Sequence, residues 1–116
     1  MRFMEQKNYL SIIVGALFLF FALTSFGQNN IEEIKVLLKN GKYEQAQALI
    51  QKAIENELDG PEILFYKGII ETNIGKNNQA IDTFRNLTER YPELPEPFNN
   101  LAVLYAEKGQ FKLAKE

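Results

Sequence analysis

The chain has 116 residues, a formal net charge of −2, 46% hydrophobic and 24% charged residues, and neither Cys nor His. That length suits one small domain. The missing residue types exclude disulfides, thiolate or imidazole metal ligands and catalysis by Cys–His or Ser–His pairs. The mildly acidic balance gives no basic face for nucleic acid.

The N-terminus differs from the rest. Arg2 and Lys7 precede an apolar run from Ile12 to Leu23, and Thr24, Ser25, Phe26 and Gly27 follow it. A basic start, an apolar middle and small residues at a cleavage site are the three parts of a secretory signal. Ser25 and Gly27 stand two apart, which suits a peptidase pocket for small side chains and places the cut after Gly27, with Ala22 or Thr24 as competitors. Extended from Tyr9 to Phe26, the run approaches the roughly 20 residues that span a bilayer, so a retained anchor is the alternative and a buried core helix a third. In both export readings the basic side stays in the cytoplasm. No Cys follows the run, so lipid modification of the N-terminus is not available. The chain therefore divides into residues 1–27, a signal peptide or membrane anchor, and residues 28–116.

From Ile31 to Lys39 the apolar residues Ile31, Ile34, Leu37 and Leu38 have helical spacing. Asn40-Gly41 stops that helix, because Gly adopts the left-handed conformation of a C-terminal cap. A second helix is predicted over 42–57, with Tyr43, Ala46, Leu49, Ile50, Ala53 and Ile54 on its apolar face. Asp59-Gly60-Pro61 breaks the chain, and Pro61 suits the first turn of a third helix. That helix carries Leu64, Phe65, Gly68, Ile69 and Ile70 and stops at Gly75. A fourth, over 77–90, turns Ala80, Ile81, Phe84 and Leu87 inward and ends at Tyr91-Pro92. Pro95 opens a fifth, over 95–108, with Phe98, Leu101, Ala102, Leu104 and Tyr105. Gly109 caps it, and a sixth begins at Phe111.

The elements recur. Gly41, Gly75 and Gly109 stand about 34 residues apart, as do Ala46, Ala80 and Ala114, and Pro61-Glu62 returns as Pro95-Glu96. No carboxylate pair stands out: Glu32-Glu33, Glu55 with Glu57, and Glu93 with Glu96 fall on polar faces or at helix ends. Glu62 and Glu96 occupy first turns, where the helix dipole favours negative charge. The glycines are helix stops and form no phosphate loop.

Residues 41–116 resemble tetratricopeptide repeats, and 31–40 resemble a degenerate first helix of the same kind. The third copy carries Phe98, Leu101, Ala102, Tyr105, Gly109, Phe111 and Ala114. The second has Leu64, Gly68, Gly75, Ala80, Phe84, Leu87 and Pro92 in the matching places, and the first Gly41, Tyr43, Ala46, Ile50 and Ala53. Lys67 and Glu71 depart from the pattern, which usually has Leu and an aromatic there. Four apart on one helix face, they are expected to form an exposed ion pair.

The resemblance implies an all-α, right-handed superhelix of antiparallel helix pairs, about two and a half repeats over 28–60, 61–94 and 95–116. The last repeat is incomplete, so a longer chain or a partner is expected to cover its apolar face. It also implies a groove lined by the first helix of each pair: Lys35 in the first copy, Phe65, Ile69, Thr72 and Asn73 in the second, and Asn99, Val103, Ala106 and Glu107 in the third. Phe65 and Ile69 read equally as groove or core. The Lys, Asn and Arg clamp with which some family members grip acidic chaperone tails is missing: Ile31, Ile69 and Glu96 lie near those places. The expected function is a non-catalytic protein-interaction scaffold in a bacterial cell envelope, without cofactor, metal or nucleic acid, binding a peptide segment. The alternative is the N-terminal part of a larger exported enzyme or assembly factor. The membrane would be touched only through an uncleaved N-terminal segment. N-terminal sequencing of the mature protein is expected to begin at Gln28; an intact Met1 on a soluble cytoplasmic protein would contradict export.

Overall fold

The computed structural model describes residues 30–109. The apolar run, the cleavage site and the expected sixth helix lie outside them. The described residues form five helices and no strand. Helix α1 covers residues 30–39. Then come α2 (Tyr43–Glu55), α3 (Pro61–Asn73), α4 (Asn77–Arg90) and α5 (Pro95–Glu107). Among the described residues no helix is long and apolar enough to cross a membrane.

The helix boundaries follow from local chemistry. Pro61 and Pro95 occupy the first turns of α3 and α5, where the missing N–H has no intrahelical partner to lose. Gly41 and Gly75 end α1 and α3 with φ of +69° and +80°. After Gly41, the Lys42 N–H donates to the Leu37 carbonyl at 2.8 Å and the Gly41 N–H to Leu38 at 3.1 Å. After Gly75, the Lys76 N–H donates to Glu71 at 2.8 Å and the Gly75 N–H to Thr72 at 3.2 Å. These crossed bonds satisfy carbonyls that a helix end leaves open. The second helix ends earlier than its sequence suggests. Glu57 takes the left-handed role, with φ +58°, and the Leu58 N–H donates to Ala53 at 2.9 Å. The chain turns there and reaches Gly60-Pro61 already redirected.

The core has two parts. Ile34 from α1, Ala46, Ile50 and Ala53 from α2, and Ile63 and Ile70 from α3 form the first, flanked by Ile31, Leu37, Leu38, Leu49 and Tyr66. Ala80, Ile81, Phe84 and Leu87 from α4 with Leu104 from α5 form the second, flanked by Leu64, Phe65, Ile69, Leu101 and Tyr105. Thus α3 packs on both α2 and α4, and one apolar stripe of α4 receives both α3 and α5. Helices α1, α3 and α5 share one layer; α2 and α4 form the other. This is the expected stack of antiparallel helix pairs.

Two core assignments change. Ile63, absent from the predicted apolar face of α3, is buried, because α3 must also meet α2 on its other side. Phe98, predicted to fill the interior, is 45% exposed. It joins neither core cluster of the described residues.

The tightest approach is between α3 and α4. A Cβ on Gly68 would lie 2.6–2.9 Å from three ring atoms of Phe84, and Phe84 is fully buried. Helix propensity alone favours Ala over Gly by about 0.5–1 kcal/mol. Overpacking a ring that cannot retreat costs more, typically about 1–3 kcal/mol. Gly68→Ala is therefore expected to lower the unfolding free energy by about 1–2 kcal/mol in thermal melts followed by circular dichroism; a neutral or stabilising result would mean that the two helices do not approach this closely.

Candidate binding face on the first layer

On α3, residues facing α2 and α4 are buried, and the remaining face turns away from both. Glu62, Ile69 and Asn73 occupy its centre at helical spacing, with Glu62 and Asn73 exposed and Ile69 half-buried. Phe65 and Thr72 flank it toward α5, and Tyr66 flanks it toward α1. The same register on α5 presents Glu96, Val103 and Glu107, all exposed, with Val103 at 57%. Exposed Asn99 and half-buried Ala106 lie beside them. Lys35 holds the equivalent place on α1.

Several of these side chains are already engaged. Lys35 Nζ lies 2.9 Å from Glu32 and 3.6 Å from Glu62 on α3. The hydrogen bond that the Lys35 ammonium donates to Glu32, opposed by desolvation, holds it above the usual lysine range. Burial pushes the Tyr66 hydroxyl up, with Lys35 opposing. Phe65 meets Phe84 edge-on, ring centroids 5.8 Å apart at 62°, and Tyr66 at 5.8 Å and 70°. Phe65 and Ile69 pack on the second core and stay half-buried, each with one edge in solvent. Thr72 Oγ1 donates to the Gly68 carbonyl at 2.9 Å. Asn73 Nδ2 donates to the Ile69 carbonyl at 2.8 Å, while its Oδ1 accepts from the Tyr43 hydroxyl at 3.3 Å.

The opposite side of α3 corrects one expectation. Lys67 Nζ does pair with Glu71 Oε1, at 2.7 Å, but Glu71 is only 4% exposed. Thr83 of α4 completes the arrangement: its hydroxyl donates to Glu71 Oε1 at 2.9 Å and accepts from Lys67 at 3.2 Å. A carboxylate stands inside the interface because α4 supplies a hydroxyl and α3 an ammonium to satisfy it. Thr83 is twelve residues from Glu71, so helical spacing within one element could not reveal it. The adjoining recess, lined by Gln47, Gln51 and Gln79 beside Ile50 and Ile70, holds about 70 Å³. That admits a few waters and falls well short of the roughly 300–1,000 Å³ of a small-molecule site.

A family model described as tetratricopeptide repeat matches residues 31–95, more than half of the chain. The chain is similar to the Photosystem I assembly protein Ycf3 of Cuscuta gronovii, 34% identical over 73 residues, with 60% of this chain and 44% of that protein covered. The protein of the same name from Dioscorea elephantipes is 33% identical over 73 residues, covering 60% and 42%. That from Sorghum bicolor is 31% identical over 80 residues, covering 66% and 46%. The chain spans less than half the length of these relatives.

The buried network yields a test by substitution. Lys67→Leu leaves Glu71 without its counter-charge and is expected to cost about 1–3 kcal/mol in urea unfolding, the lower part of the range because Lys67 is itself partly exposed. Lys67→Leu with Glu71→Leu is expected to recover most of that loss, since an apolar pair replaces the whole charge pair. Equal losses in the single and double variants would show that Glu71 is stabilised independently of Lys67.

Proposed function

Because the chain belongs to the tetratricopeptide repeat family, we propose that it is a non-catalytic scaffold that holds a segment of another protein in the concave groove lined by α1, α3 and α5. The observation that carries this reading is the row of side chains in solvent on those helices. Val103 is a large apolar residue left exposed, and Ile69 and Phe65 keep accessible edges beside it. Exposed apolar groups repeated in one register on neighbouring helices suit the capture of a peptide. The relatives named as assembly proteins support a role in bringing other proteins together. The basic, apolar and small-residue order of the first 27 residues supports work in a bacterial cell envelope, either released after cleavage or anchored in the inner membrane.

The matched relatives are more than twice as long as the region they share with this chain. The second reading is that the repeats form the N-terminal part of a larger exported assembly factor or enzyme, presenting its client. Both readings use the same face and are tested together by Val103→Glu. Val103 is on the surface, so the variant is expected to melt within about 0.5 kcal/mol of the parent. In affinity capture from envelope extracts it is expected to lose the proteins that the parent retains. Recovery of the same proteins by both would remove this face from the function.

A further inference from the structure

Resting on the reading of this face as a protein-binding surface, we propose that the outward face of α3 and α5 takes an extended basic segment with one apolar side chain at its centre. The charge on the two helices is one-sided. Helix α5 contains no Lys or Arg, and its charged residues are Glu96 and Glu107. On α3 the lone basic residue, Lys67, is turned the other way and held by Glu71 and Thr83. Beyond α5, Lys108 is drawn to Asn78 at the start of α4. The remaining outward charge of α3 is Glu62. Among the described residues, Glu96 and Glu107 form no ion pair, and Glu62 has one long contact, to Lys35. Lys35 is taken up by Glu32 and, at longer range, Glu62.

The apolar groups lie between the acids. Val103 is seven residues after Glu96 and four before Glu107. At 1.5 Å per residue these separations are about 10 Å and about 6 Å along the helix. An extended chain covers them in about three and about two residues. A ligand that seats an aliphatic side chain between Ile69 and Val103 therefore meets carboxylates two to three residues away on each side. Lys or Arg at those places gains two exposed ion pairs, whereas Asp or Glu meets repulsion. Asn73, at the Glu107 end of α3, has both ends of its amide engaged within the protein, so charge complementarity and not Asn73 decides the preference there.

The test uses the full chain and three labelled dodecapeptides by fluorescence anisotropy. Each has one central Leu and carries Lys, Gln or Glu at the second and third positions to either side. The Lys peptide is expected to bind about tenfold more tightly than the Glu peptide at low salt, with the Gln peptide between. High salt should narrow that gap, and the E96K/E107K variant should reverse the order. Equal affinity for all three peptides would overturn the proposed preference while leaving a binding face in place. Silence from all three would overturn the binding face as well.

Discussion

The fold depends on the contact between Gly68 and Phe84. An aromatic ring with no exposed surface occupies the space a Cβ would take on the neighbouring helix. That contact lets α3 and α4 lie close enough for one stripe of α4, Ala80, Ile81, Phe84 and Leu87, to be closed on one side by α3. The same stripe receives Leu104 of α5 on the other. A helix with one apolar face has to share that face between two partners, and the partners then fall into one layer. Helices α3 and α5 thus both close on the apolar stripe of α4.

The positions legible in the sequence are those where backbone geometry leaves few choices. Left-handed turns select glycine at 41 and 75, and first-turn proline marks the starts of α3 and α5. These are local constraints, and they fixed the stack of helix pairs with their boundaries to within a residue or two. Glu57 shows the limit of that logic. It adopts the conformation glycine favours without being glycine, so the end of α2 left no mark in the residue type.

Other positions were hidden because their environment comes from a different helix. Ile63 is not among the apolar residues read for α3. It is buried because α3 is two-sided, with α2 behind it. Glu71 read as exposed because a carboxylate usually is. Its burial rests on the hydroxyl of Thr83 across the interface, and no spacing rule within a helix connects the two. Phe98 differs in the opposite sense: a large aromatic in a repeat register suggested core, and it is 45% exposed. The row of candidates on the outer face followed from the resemblance to the repeat family. What the resemblance could not give was which side chains are already committed, such as Lys35 to Glu32 and Asn73 to Ile69 and Tyr43.

These commitments divide the labour between the two faces of α3. Toward α2 and α4, polar groups satisfy one another: Lys67, Glu71 and Thr83 leave no buried polar atom without a partner among the described residues. Such an arrangement adds less stability than well-packed apolar residues would, but it constrains how α4 can sit, because Thr83 must stay within hydrogen-bond reach of Glu71. Slippage of α4 by one turn would strand a carboxylate in the interface, a larger penalty than the loss of an apolar contact of the same size. Toward solvent, α3 leaves Glu62 and Asn73 exposed and Ile69 half-buried, and α5 leaves Glu96, Val103 and Glu107 exposed. The polar network thus fixes the register of α3 on α4, and the places from which the outward groups of α3 project follow from it.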